Sequence, residues 1–430
     1  MIAILDAHDE DALRGLYAGG WDAPAEVTST VAAILREVRE RGDEALVSYT
    51  RRFDYPDATV ESIRRELPAP EEAERLVPAH IAAGLRLGRA RVSAFHERQL
   101  IGDSDHRDAD GTRSALLVRP FGAVGAYVPG GTAPLPSSVI MAVVPAKIAG
   151  VARVVVATPP QRDGTIDPAI LFACVLCGAD ELYAAGGAQA IAALAYGTDR
   201  LRRVDKIVGP GNVWVTEAKR QVFGTCGIDG LAGPSEVLVV ADAASRPEFV
   251  AGEMIAQAEH DPLARVAAVS MDRGILERVA ALLDGPFARA SGRREIVERV
   301  LASRAFLVHA RDRAALLEVI DRFAPEHLSL EVENPWTLVP LIARAGAIFV
   351  GDDTPVAAGD YIAGSNHVLP TSGAARFSSG LRTADFYRTM SLIENSPARM
   401  RADAATLAAL AEFEGLPAHA RTARMRAEQT

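Results

Sequence analysis

The sequence predicts an α/β fold: two Rossmann-like α/β units with parallel sheets, plus a helical N-terminal segment and a helical C-terminal arm. Three observations carry this reading. From Leu116 to about residue 380, short runs rich in Val, Ile and Ala alternate with Ala-rich stretches of helical period. That alternation is how strands and crossover helices read in a parallel sheet. Glycine-rich turns stand where several of the runs end, and the two chain ends instead place apolar residues three and four apart.

In chain order, "TSTVAAILREVRERGDEALVSYTRRFD" and "APEEAERLVPAHIAAGLRLGRARVSAFHERQL" predict helices. "ALLVRPFGAVGAYVPGG" then leads into "SSVIMAVVPAKIAG", "RVVVATPP" into "DPAILFACVLCGA", "ELYAAGG" into "AQAIAALAYG", and "VDKIVGPG" into "NVWVTEAKRQVFG". The pattern restarts at "EVLVVAD", followed by a helix over 246–260, and continues through "RVAAVSM", "RAFLVHA", "HLSLEV" and "GAIFVG". "DAATLAALAEFEG" predicts helix near the C-terminus. The expected boundaries are 1–24 for the N-terminal segment, 25–126 with 237–380 for a larger α/β domain, 127–236 for a smaller one, and 381–430 for the arm.

A chain of 430 residues has room for two cores, and 49% hydrophobic with 24% charged residues is ordinary for a globular protein. The net charge of −10 argues against nucleic acid or an anionic membrane surface as partner. No apolar stretch reaches the length of a membrane span, and "MIAILDAHDEDALRG" lacks the pattern of a secretion signal, so the expected location is cytoplasmic. Cys174, Cys177 and Cys226 cannot build a disulfide framework. The C-x-x-C in "FACVLCGAD" has apolar flanks at helical spacing and no second pair, so it reads as helix packing rather than a zinc site.

"YVPGG", "AAGGAQA" and "VGPGN" fall where a strand hands over to a helix, where backbone N–H groups can face a phosphate. The usual G-x-G-x-x-G is absent, and each turn alone is weak, but three in succession favour a nucleotide or phosphate-bearing ligand. His8, His80, His96, His106 and His309 read as solvated or packing residues, whereas His260, His327, His367 and His419 sit among polar groups at element ends. Gln257 and His260 are three apart near a helix end, and Asp360 sits in the glycine-flanked "AAGDYIAG". Such nitrogen and oxygen donors suit a borderline divalent ion such as zinc. Spacing alone does not assemble them, and helix capping with surface polarity is the plainer alternative. In "FAPEHLSLEV", Glu326 and His327 stand at the mouth of a strand, either as solvated loop residues or as an acid/base pair.

"GGAQAIAALAYGT", "VDKIVGPGN", "AGPSEV", "QAEHDPLA", "APEHL", "GDYIAGSNHVLPT" and "GLPAHAR", in this order, resemble histidinol dehydrogenases over nearly the whole chain. The resemblance implies oxidation of L-histidinol to L-histidine with two NAD⁺, through an enzyme-held aldehyde, as the last step of histidine biosynthesis. It implies one zinc per subunit held by Gln257, His260, Asp360 and His419, substrate contacts from those four with Ser235, Glu414 and His327, and NAD contacts from Tyr127, Gln189 and Asn212. Glu326 and His327 become the proton acceptors. The larger domain then carries the metal and the base, the smaller one binds NAD, and the arm is exchanged in a homodimer. A related zinc- and NAD-dependent dehydrogenase of another small alcohol, such as a sulfopropanediol, is the alternative; Ser235, Glu414 and "GLPAH" favour histidinol. Gly230 stands where relatives often carry a larger residue.

Overall fold

The computed structural model describes residues 2–130, 134–289 and 291–428. The chain forms two compact units, Met1–Gln99 with Gly122–Thr383, and Leu100–Phe121 with Ala384–Thr430. The first unit holds two six-stranded sheets. In the first sheet the order is Ile4–Asp6, Ala305–His309, Arg265–Ser270, Glu236–Ala241, His327–Glu331 and Ala347–Val350, all parallel. In the second it is Arg64–Arg65, Glu181–Ala184, Arg153–Thr158, Ala123–Tyr127, Lys206–Val208 and Gly227–Ile228, parallel except for the antiparallel first strand.

These strands read as unbroken apolar runs because a parallel sheet is covered on both faces. All six residues of Glu236–Ala241 are buried. Val237, Val239 and Ala241 enter one core with helices Pro247–Ala258 and Arg273–Asp284, while Leu238 and Val240 enter another with Glu10–Tyr17 and Arg313–Phe323. Period-two alternation thus serves two cores at once. Truncating Leu238 to Ala would cost about 2–5 kcal/mol through lost burial and the cavity left behind. Beneath the second sheet, helices Ala25–Arg41 and Asp43–Phe53 share a core with Gly187–Tyr196 and Val213–Val222.

The second unit has an antiparallel sheet in the order Tyr387–Glu394, Arg113–Pro120, Ser104–Arg107, and helices Pro397–Phe413 and Pro417–Glu428. The last two meet through small residues, Ala408, Ala411 and Ala420. The arm therefore begins with a strand where the sequence suggested helix alone. The C-x-x-C lies in helix Pro168–Cys177 with both thiols buried and free, as plain packing requires. Among the described residues no helix is long and apolar enough to cross a membrane.

Candidate active site

Helix Arg313–Phe323 ends on Ala324 in a left-handed conformation (φ 47°), whose N–H donates to Ile320 O at 2.8 Å. Pro325 cannot continue a helix, so the chain enters strand His327–Glu331 within two residues. That strand lies between Glu236–Ala241 and Ala347–Val350, with His327 opposite Val237 and Ala347. Glu326 and His327 thus sit at the amino ends of the first sheet's strands. In open α/β sheets the usual ligand crevice is at the carboxyl ends.

Both side chains are buried, Glu326 to 6% exposure and His327 to 4%. The Glu236 N–H donates to Glu326 Oε2 at 2.8 Å, and His327 Nδ1 lies 2.9 Å from Glu236 O. A carbonyl oxygen only accepts, so Nδ1 carries the hydrogen and Nε2 keeps its lone pair. The 3.6 Å between His327 Nδ1 and Glu326 Oε2 is too long for a hydrogen bond. Burial pushes the Glu326 carboxyl well above the usual carboxylate range, and the charges of Glu236 and Asp360 push the same way. Burial also lowers His327 below the ordinary histidine value; Asp360 opposes this, while His260 and His367 add to it. Burial thus favours the neutral form of both groups, the unprotonated imidazole of His327 and the protonated carboxyl of Glu326.

Gln257 lies in the last turn of helix Pro247–Ala258, His260 follows two residues beyond it, and Asp360 lies near the end of helix Val356–Tyr361. A helix C-terminus favours positive charge. Gln257 is buried, and its Nε2 has no hydrogen-bond partner among the described residues. Turning the amide would present Oε1 there, and a cation would satisfy it. The buried, unpartnered Gln257 amide therefore suits a cation, while no three His, Cys, Asp or Glu groups close on one point among the described residues. His367 braces Asp360, its Nδ1 donating to Asp360 O at 3.0 Å, and its Nε2 lies 3.3 Å from Ser138 Oγ. Ser235, just before strand Glu236–Ala241, accepts from Arg265 N at 3.1 Å.

At the second sheet, Tyr127 ends its strand, Asn212 caps helix Val213–Val222 by accepting from Trp214 N and Val215 N, and Gln189 is buried in helix Gly187–Tyr196. All three lie at or just beyond carboxyl ends of parallel strands in this sheet. The Tyr127 hydroxyl accepts from Gly187 N at 3.1 Å. Glycine is required in these turns: a Cβ on Gly209 (φ 111°) would lie 2.1 Å from Tyr127 O, and one on Gly211 would lie 2.2 Å from Val215. Thr158 Oγ1, at a neighbouring strand end, is buried without a hydrogen-bond partner among the described residues. These turns fit a dinucleotide phosphate group. Gly131 of "YVPGG" lies outside the described residues.

Sequence reasoning missed Asp54. Its Oδ2 accepts from Gly186 N and Gln189 Nε2, both at 3.3 Å, and burial raises its pKa to about 6. It missed Glu236 as well, because a polar residue opening a strand gives no signal of its own. His96, read as bland, is fully buried and bonded to Thr383 and Asn366. Glu414 and His419 belong to the second unit, Glu414 closing helix Pro397–Phe413 and His419 in helix Pro417–Glu428, both exposed.

The family model for histidinol dehydrogenase matches residues 21–427. Histidinol dehydrogenase from Heliobacterium mobile is 45% identical over 94% of this chain and 95% of its own length. The enzyme from Synechococcus sp. is 43% identical, with 94% and 93% covered. The chain belongs to the histidinol dehydrogenase family. The crystal structure of histidinol dehydrogenase from Elizabethkingia anophelis superposes with a TM-score of 0.90 at 31% identity, covering 99% of this chain and 98% of that one. The fold expected from the family resemblance is therefore present from end to end. The family oddity at Gly230 meets open space, since a Cβ added there would have nothing within 4 Å.

Proposed function

We propose that this histidinol dehydrogenase oxidises L-histidinol to L-histidine in two NAD⁺-dependent steps through L-histidinaldehyde, the last step of histidine biosynthesis. The observation that carries the proposal is the pair of buried groups, Glu326 and His327, held by the N–H and the carbonyl of one residue, Glu236. His327 Nε2 accepts the alcohol proton as the carbinol hydride leaves. The aldehyde has no second hydride to give until water adds to it. Glu326, once ionised, takes a proton from that water as it adds, leaving a gem-diolate, and His327 takes the remaining hydroxyl proton as the second hydride leaves, which gives the carboxylate. Each group returns its proton to solvent between steps.

Tyr127, Gln189 and Asn212 would hold NAD, which when bound accepts the hydrides. Gln257, His260, Asp360 and His419 would hold zinc, which when bound grips substrate nitrogens and so supplies orientation. Ser235 and Glu414 would touch substrate. An arm placing Glu414 and His419 in the site of a partner subunit makes the working unit a homodimer. Co-expressing His260→Ala with His419→Ala tests this. Mixed dimers then have one intact site, and activity returns to roughly a quarter of wild type under random pairing. Mixtures that contain heterodimers but stay inactive would place His419 in its own chain's site.

The direct assay is NADH absorbance with histidinol, before and after chelation and zinc return. Turnover that is lost with the metal and restored with zinc supports the proposal. Absence of NADH formation in zinc-loaded protein, or full turnover in metal-free protein, overturns it.

A further inference from the structure

The side chains of Glu326 and His327 are not hydrogen-bonded to each other; they share Glu236. Its N–H holds the Glu326 carboxylate and its carbonyl holds the His327 ring. The Glu236 side chain is 1% exposed, and its Oε1 accepts from Arg265 Nη2. Arg265 is its register partner on the adjacent strand, Arg265–Ser270. Through Nη1, Arg265 donates to Leu16 O at 3.1 Å and to Ala18 O. Its guanidinium lies 5.4 Å from the centre of the Phe323 ring, three residues before Glu326. Arg265 therefore touches both the residue that clamps the pair and the helix end that delivers it.

We propose that Arg265 and Glu236 are a positioning pair for proton transfer: Arg265 fixes the buried Glu236 side chain, so that the Glu236 N–H and carbonyl hold Glu326 and His327 in place. This rests on the roles proposed above for those two residues. The charged and titratable groups acting on Glu326 are Glu236, Asp360 and His327. Without Arg265 the buried Glu236 carboxyl, whose pKa burial already raises, takes up a proton and loses the hydrogen bond that fixes it, so the backbone that holds Glu326 and His327 is free to shift. Both oxidations suffer, because the same residue holds Glu326 and His327.

The test assays zinc-loaded, full-length variants separately with histidinol and with histidinaldehyde. Arg265→Gln removes the guanidinium that reaches Glu236 and the Leu16 and Ala18 carbonyls while keeping a polar side chain. Its kcat falls about 10- to 100-fold with both substrates, since a displacement approaching 1 Å at a proton-transfer group costs up to about that factor. KM for histidinol and bound zinc change by less than about twofold, because no ligand contact is altered. Arg265→Lys, which keeps the charge, recovers a large part of the loss, and so does adding Glu236→Gln to Arg265→Gln. Wild-type aldehyde turnover in Arg265→Gln overturns the proposal. So does a loss in which KM, zinc content and thermal stability fall together and the double variant is no better than the single. If Arg265→Gln does not fold, Arg265→Met, of similar bulk without a buried polar group, is held to the same outcomes. Glu326→Gln run alongside separates the two failures. If it spares aldehyde oxidation, the assigned roles fall; if it does not and Arg265→Gln does, only the positioning pair falls.

Discussion

Gly346→Ala tests how tightly the fold fixes Glu326. Gly346 precedes strand Ala347–Val350; its N–H donates to Pro325 O and the Ala347 N–H donates to Glu326 O, both at 2.9 Å. An added Cβ would lie 2.6 Å from Glu326 O, 3.3 Å from its carbonyl carbon and 3.2 Å from Pro370 Cδ. Ordinary van der Waals contact begins near 3.4 Å. The Glu326 peptide must therefore retreat by about 0.8 Å, because Pro370 closes the other side. A displacement approaching 1 Å at a proton-transfer group costs up to about 100-fold in rate. Overpacking of this kind costs about 1–3 kcal/mol of stability. The expected result is a kcat lower by about 10- to 100-fold with both substrates, in a protein that still unfolds cooperatively. Gly252→Ala is the control: it lies in helix Pro247–Ala258 with nothing within 4 Å of the new Cβ. It should gain up to about 1 kcal/mol, because glycine is the costlier residue in a helix. A Gly346→Ala enzyme with kcat within twofold of wild type would refute the argument that this peptide sets the site.

Other variants address the chemistry and the local backbone. Glu326→Gln should depress aldehyde oxidation by at least about 100-fold and alcohol oxidation far less, while His327→Asn should depress both; separate steady-state assays on the two substrates decide this. Because the Glu326 pKa is raised, its base form grows as pH rises beyond the ordinary carboxylate range, so aldehyde turnover should climb with pH there and lose that dependence in Glu326→Gln. The stability linkage runs in opposite senses for the two groups. Glu326, with a raised pKa, contributes stability that is complete below its unfolded value and lost as pH rises through the folded one. His327, with a lowered pKa, contributes stability that is complete above about 6.5 and lost as pH falls towards its folded value. Ala324→Gly should stabilise by about 0.5–1 kcal/mol in denaturant melts, since glycine adopts the left-handed helix end without a Cβ penalty.

Much of the fold was legible because parallel strands covered on both faces leave runs such as "EVLVVA" and "RVAAVS", each wholly buried. Strand Tyr387–Glu394 escaped notice because neither face is buried, so its sequence carries no alternation. Ile4–Asp6, at three residues, was too short to show a period. Within the candidate site, Glu326 and His327 were visible as adjacent titratable groups at a strand mouth. Glu236, Arg265 and Asp54 were not. Glu236 and Arg265 meet through strand register across 29 residues, and Asp54 meets Gln189 across 135, so their partnership exists only in the folded chain.

The most direct test of the central reading is the stoichiometry of one site working through both oxidations. Histidinol in limiting amount is converted to completion by zinc-loaded enzyme with excess NAD⁺, and NADH, histidine and free aldehyde are counted. Two NADH and one histidine per histidinol, with no aldehyde escaping to solution, is the expected result. One NADH per histidinol with aldehyde accumulating would contradict the assignment of both oxidations to Glu326 and His327.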